Sequence, residues 1–177
     1  MFSLYRASVP SMIKSLGNLK VILTKAEQHC ATKGTKPEEM IQFRLIDDMR
    51  PLDYQVYSCC NTAKFLASRV GGAEDVFFAD DEKTFAELQG RVDRTVDILK
   101  ALPPDCMDGK EEAEIFMEKA GFKFTGVRYV TEYVVPNFHF HLASAYCILR
   151  HLGVPIGAFD YLDTQKDLFV KAEEPKA

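Results

Sequence analysis

Val135-Pro-Asn-Phe-His-Phe-His-Leu-Ala-Ser-Ala-Tyr-Cys-Ile-Leu-Arg-His-Leu-Gly153 joins the largest apolar face of the chain to its most unusual polar residues. At 100° per residue Phe138, Leu142, Ala145, Leu149 and Leu152 fall on one stripe, while Arg150 and His151 point elsewhere. The spacing predicts the last core helix of a bundle. His141 lies beside the stripe, and His139, two residues earlier, is rotated about 160° from it, so the two rings cannot chelate one ion. One turn after His141, where a metal-binding helix would supply a second imidazole, stands Ala145.

Three further amphipathic stretches share this period. From about Ser11 to Lys33, Leu16, Leu19, Leu23, Ala26 and Cys30 recur at helical spacing before Gly34. Leu52, Val56, Cys59, Ala63, Leu66 and Val70 form the cleanest stripe, started by Pro51 and ended by Gly71-Gly72. Phe85, Leu88, Val92, Val96, Leu99 and Leu102 form the third, preceded by Asp80-Asp81-Glu82 and stopped by Pro103-Pro104. The acids there read as electrostatics at a helix start, and Glu87 on the same helix reads as solvent-facing. Asp47 and Asp48 occupy the equivalent place before the second long helix.

The connectors are mostly short. Lys36-Pro37-Glu38-Glu39 opens a short helix through Phe43. From Pro103 to about Lys119 a surface excursion is expected, and Glu114-Ile-Phe-Met with Phe122-Lys-Phe-Thr can pair as a small hairpin around Gly121. A further helix begins near Thr125-Gly126, carries Tyr129, Val130, Tyr133 and Val134, and meets Pro136, which kinks or interrupts it. Asn137 is then placed to bond backbone groups that the interruption frees. The fold class is all-α: a four-helix bundle with a short additional helix and a small β-hairpin before the last core helix. Residues 1–163 make one domain and 164–177 a flexible tail.

Composition agrees with a globular domain: of 177 residues, 47% are hydrophobic and 27% charged. A net charge of -4 without a basic block argues against nucleic acid. Five cysteines without CxxC spacing read as reduced thiols, and a cytoplasmic location follows. The first fifteen residues carry Arg6, Pro10 and Lys14 without a long apolar run, and nowhere do 18 apolar residues run together, so neither a signal peptide nor a membrane partner is expected. No GxSxG, HExxH, glycine-rich phosphate loop or CxxC motif occurs. Metal ligands and cofactors are therefore not assigned.

What remains is a pocket between helices, lined by aromatics such as Phe138 and Tyr133, with His29, Gln55, Asn137, His141 and Tyr146 as polar groups converging on a small apolar or aromatic metabolite. In that reading His141 is the catalytic acid or base of a metal-independent isomerase, lyase or group transferase, and Gln55 or Tyr146 orients the substrate. The alternative is a non-catalytic bundle that forms a homodimer through apolar residues around Val76-Phe77-Phe78, with His141 only fixing the core.

Several groups of residues carry a family likeness: Lys25-Ala-Glu-Gln-His29, Arg44-Leu45 with Asp48-Met49 and Pro51-Leu52, Gln55-Val56, Asp81-Glu82 with Thr84-Phe85 and Glu87-Leu88. Pro136-Asn-Phe138, Phe140-His141, Ala145-Tyr146 and Leu149-Arg150 complete the set. Over roughly Leu16 to Leu162 the chain resembles DUF1993, an uncharacterised family related to DinB/YfiT-like helical bundles. The resemblance implies a DinB-like four-helix fold and, as in several relatives of that superfamily, three histidines on a divalent metal, one from the second helix and two from the last. This chain has no histidine in its second long helix, so a metal site would be degenerate, assembled from His29, Gln55 and His141.

Overall fold

The computed structural model describes residues 3–169. Helix α1 (Leu4–Lys33), α2 (Pro37–Ile41), α3 (Leu52–Arg69) and α4 (Phe85–Lys100) are followed by a hairpin of β1 (Glu114–Met117) and β2 (Phe122–Thr125). The chain then runs without a break through α5 (Gly126–Arg128), a π-helical turn (Tyr129–Val134) and α6 (Val135–His151), and ends in α7 (Ala158–Leu162). Around the bundle the long helices follow the order α1, α4, α3, α6, with α7 laid against α1. Every residue of the α3 stripe, Leu52 through Val70, is fully buried, as are Leu16, Leu19, Leu23 and Ala26 of α1 and Phe138, Ala145 and Leu149 of α6. Four apolar stripes closing on one core is the four-helix bundle that the periodicity implies.

Helix α1 starts seven residues ahead of the expected Ser11 and accommodates Pro10 within it. Pro10 is exposed, so the carbonyl that loses its helical donor meets water, and Ser3 caps the helix by accepting from the backbone of Arg6. The hairpin pairs Glu114 with Thr125 and Met117 with Phe122, the two stretches expected, and Gly121 turns with φ 71°.

Pro136 does not interrupt its helix. The turn before it widens to the π geometry, with the Val135 N–H donating to the Val130 carbonyl five residues back, and the imino ring passes inside a continuous element. Asn137 bonds no backbone group through its side chain among the described residues. Its Nδ2 donates instead to Thr62 Oγ1 on α3 at 2.8 Å.

The acids before α4 also take a different role. The helix start is served by a capping box, Thr84 Oγ1 accepting from the Glu87 N–H at 3.2 Å while Glu87 accepts from the backbone of Thr84 at 2.9 Å. Glu82 is buried and accepts from the fully buried Arg91, and Asp80 accepts from the same guanidinium. Arg91 lies over the rings of Tyr57 and Phe78, at 4.8 and 4.7 Å from their centroids. Phe78 is thus buried under cations and unavailable to a dimer surface, whereas Phe77 is 87% exposed. Together with Lys64 Nζ donating to Val76 O and Tyr57 donating to Glu82 O, these bonds strap residues 71–84 across α3 and α4.

Beyond Leu162 the chain continues against α1: Thr164 donates to Asn18 Oδ1, and Asp163 pairs with Lys14 and accepts from the backbone of residues 167 to 169. The rest of the expected tail, residues 170–177, lies outside the described residues. No helix among the described residues is long and apolar enough to cross a membrane.

Candidate functional site

Helices α3 and α6 pack antiparallel, and a seam of polar residues runs along their contact. As numbers rise on α3 they fall on its partner: Gln55 meets His141, Cys59 meets the Phe138 carbonyl, Thr62 meets Asn137, and Arg69 meets Tyr129. Gln55, Thr62 and Arg69 are spaced by seven, which keeps them on one line of the helix beside the apolar stripe.

At the deep end His141 Nδ1 lies 2.8 Å from Gln55 Oε1. The amide of Gln55 has one possible orientation, because its Nε2 donates to the Arg50 carbonyl at 2.9 Å and must therefore carry the hydrogens. Its oxygen faces His141, so Nδ1 carries the imidazole proton and Nε2 keeps its lone pair. Nε2 has no hydrogen-bond partner among the described residues. Burial holds His141 below the ordinary histidine range, as it does His139, whose Nδ1 is 3.3 Å from the Tyr161 hydroxyl. Both rings are neutral at pH 7.

A depressed histidine leaves its mark on stability. The unfolded chain takes up protons near pH 6.5, and the folded chain does so only at lower pH. The stabilisation is therefore complete above about pH 6.5 and is lost as the pH falls through the folded values. We expect the urea midpoint to drop between pH 7 and 5.5, and the drop to shrink in the His139→Gln, His141→Gln variant. A pH profile unchanged by the double substitution would contradict this assignment.

A cleft of about 350 Å³ opens over the seam. Tyr54, Tyr57, Ser58, Asn61, Thr62, Phe65 and Arg69 of α3 form one wall, and Tyr129, Tyr133, Asn137 and His141 form the other, with Met117, Ala120 and Asp80 at the rim. Phe124, Tyr129 and Tyr133 cluster with centroids 5.7 to 5.8 Å apart, Tyr133 stacked on the fully buried Tyr129 and Phe124 edge-on to Tyr129, so the upper wall is backed by a rigid aromatic cluster. The π-helical turn carries Tyr129 and Tyr133, consistent with the tendency of such turns to occur at functional sites.

Of the residues singled out from the sequence, His141, Asn137 and Tyr133 line this cleft, and Gln55 stands behind His141. His29 and Tyr146 do not join them. His29 lines a separate depression with Lys25, Thr32, Gly153 and Pro155, and Tyr146 packs edge-on against Tyr161 of α7 at 5.8 Å. Helix α3 contributes more than its apolar stripe suggests: Asn61, Thr62, Phe65 and Arg69 all line the cleft, and the seven-residue spacing of Gln55, Thr62 and Arg69 is the signal of it in the sequence.

The donor set does not fit a divalent cation. Gln55 is what α3 presents to His141, Ala145 stands one turn on, and His29 is elsewhere. Among the described residues no three His, Cys, Asp or Glu side chains cluster as ligands. The thiols nearest the core are not nucleophiles either: burial pushes Cys59 well up and Cys60 up to about 11.

Comparison with known proteins agrees with this architecture. The model of DUF1993, described as a domain of unknown function, matches residues 4–162. No curated protein matches. A crystal structure of a DinB family member protein from Shewanella denitrificans superposes with a TM-score of 0.85 at 32% identity, covering 98% of this chain and 95% of that one.

Proposed function

The chain belongs to the DUF1993 family, whose description names no reaction, and on the strength of the site itself we propose that it binds a small molecule in the cleft between α3 and α6 and acts on it through His141. The observation that carries this reading is the Arg50 carbonyl–Gln55–His141 relay. It fixes the Nδ1–H tautomer and leaves a neutral, unpartnered Nε2 beside the cleft. A half-buried imidazole prepared in this way is a general base. Nε2 takes a proton from an acidic C–H or O–H of the bound molecule, the imidazolium keeps its other N–H on Gln55 Oε1, and the proton returns from Nε2 to a neighbouring atom. That sequence suits an isomerase, a lyase or a group transferase without any metal step.

A bundle in which His141 only fixes the core has no use for a cleft reaching that ring, and the aromatic wall, the Asn137 amide and the free Nε2 would then face water to no purpose. The test is a melting-shift screen of wild type and His141→Ala against apolar and aromatic metabolites. Ligands that raise the wild-type Tm and lose most of that rise in the variant support the reading. Equal shifts for both proteins across the whole library would remove it. Nitrogen NMR of the ring supplies a second check, since the relay demands a protonated Nδ1 at pH 7.

A further inference from the structure

Arg69 is the cation of the cleft that no acid among the described residues neutralises. The charged side chains lining it are Arg69, Asp80 and, when protonated, His141. Asp80 already accepts from Arg91 and from Asn61 Nδ2, so its charge is matched. Arg69 makes no ion pair among the described residues. Its guanidinium carbon lies 4.2 Å from the centroid of Phe65 and its Nη1 donates to the Tyr129 hydroxyl at 2.9 Å. Those two contacts hold the group still while Nε and Nη2 find no hydrogen-bond partner among the described residues. A planar fork fixed on a ring with donors to spare matches a carboxylate in two-point geometry, which a lysine would not do.

The rest of the cleft says what the carboxylate is attached to. Tyr133, half-buried, presents its ring to the cleft, backed by the fully buried Tyr129 on which it stacks, while Phe65 carries the Arg69 guanidinium. Beyond them, toward the far end of the seam, come Asn137 and the Nε2 of His141.

We propose that the ligand of this cleft is a small aromatic carboxylate, its carboxylate on Arg69, its ring against Tyr133, and a polar or acidic substituent toward Asn137 and His141. This rests on the pocket reading above and adds the charge and shape of the molecule. A single or fused aromatic ring with a one- or two-atom acid arm suits a cleft of about 350 Å³.

The experiment titrates the full chain with phenylacetate and indole-3-acetate, each beside its primary amide, and follows backbone amide shifts by NMR in wild type, Arg69→Gln and Arg69→Lys. In wild type the acids move the resonances of residues around Arg69, Tyr133 and His141, and bind about tenfold to a hundredfold more tightly than the amides, as expected for hydrogen bonds to a charged group. Arg69→Gln brings the acids down to the affinity of the amides, and Arg69→Lys restores part of the difference. Acids and amides binding alike in wild type, or acids unaffected by Arg69→Gln, overturns the carboxylate and leaves the pocket standing. No shift in the cleft with any of the four probes overturns both. The acid-to-amide comparison is made on wild type, so it decides the matter even if the variants do not fold.

Discussion

Arg91→Ala should lose about 3–5 kcal/mol of folding stability, the range for breaking a buried ion pair from one side. Arg91 is fully buried and binds two carboxylates and the Asn61 amide oxygen at once. Removing it leaves Glu82, itself buried, with Arg94 alone, and that partner is largely exposed to water. The rings of Tyr57 and Phe78 lose the cation between them. The result should be seen in urea unfolding followed by circular dichroism. Hydrogen exchange should show residues 76–84 opening before the bundle does, because Arg91 binds both acids of the strap they form and only Lys64 and Tyr57 are left to hold it. Replacing the pair together, as Arg91→Met with Glu82→Leu, should recover a large part of the loss, since two buried charges are then removed along with their desolvation cost. An Arg91→Ala protein with a wild-type midpoint would show that Arg94 and water suffice to hold Glu82. Function would suffer too: Asp80 and Asn61 border the cleft and owe their positions to Arg91.

This network marks the limit of what periodicity reveals. Arg91 follows Leu88 by three and precedes Thr95 by four, so it occupies the same buried face as Val92 and Leu99. The spacing was readable, but polarity argued for solvent, and only the return of Asp80 and Glu82 from a loop makes burial possible. Those acids read as a helix start because they precede one. The capping box three residues on did that work.

The four stripes were legible because each repeats over four or five turns, and the fold follows from them. The hairpin was legible too, since Gly121 separates two short apolar runs. The site was only half legible for a related reason. An amphipathic pattern says which face of a helix is inward, and it does not say which helix it will meet. His141 bonds Gln55 and shares the cleft with Asn137 because α3 and α6 are direct neighbours. His29 lies instead beside Gly153, beyond the end of α6, and Tyr146 turns to Tyr161 of α7, which also engages His139, and five residues give no periodic signal. Pro136 was legible as a disturbance and misleading as to its kind: a π turn absorbs the missing N–H without breaking the helix, and in doing so turns Tyr129 and Tyr133 toward the cleft.

The same element supplies the second large effect. Gly126 begins the helix that leads into the π turn, and its Cα faces the backbone of the preceding excursion. A Cβ placed there would lie 1.9 Å from the Lys110 carbonyl oxygen and 3.3 Å from that of Glu111. Neither is the tip of a flexible side chain, so the two segments must separate, and the bond from the Val127 N–H to the Glu111 carbonyl, now 2.8 Å, goes with them. Gly126→Ala should therefore cost about 3 kcal/mol, at the upper end for overpacking. Gly90→Ala provides the contrast. Gly90 is exposed within α4 with nothing within 4 Å of a Cβ, and alanine there should add about 0.5–1 kcal/mol through helix propensity. Because Tyr129, Tyr133, Asn137 and His141 all follow from Gly126 along one element, the displaced helix start should also abolish ligand-induced melting shifts. The Gly90 variant should keep them. A Gly126→Ala protein with undiminished stability would mean that the excursion yields freely, and the cleft would then have no fixed wall on the side of α6.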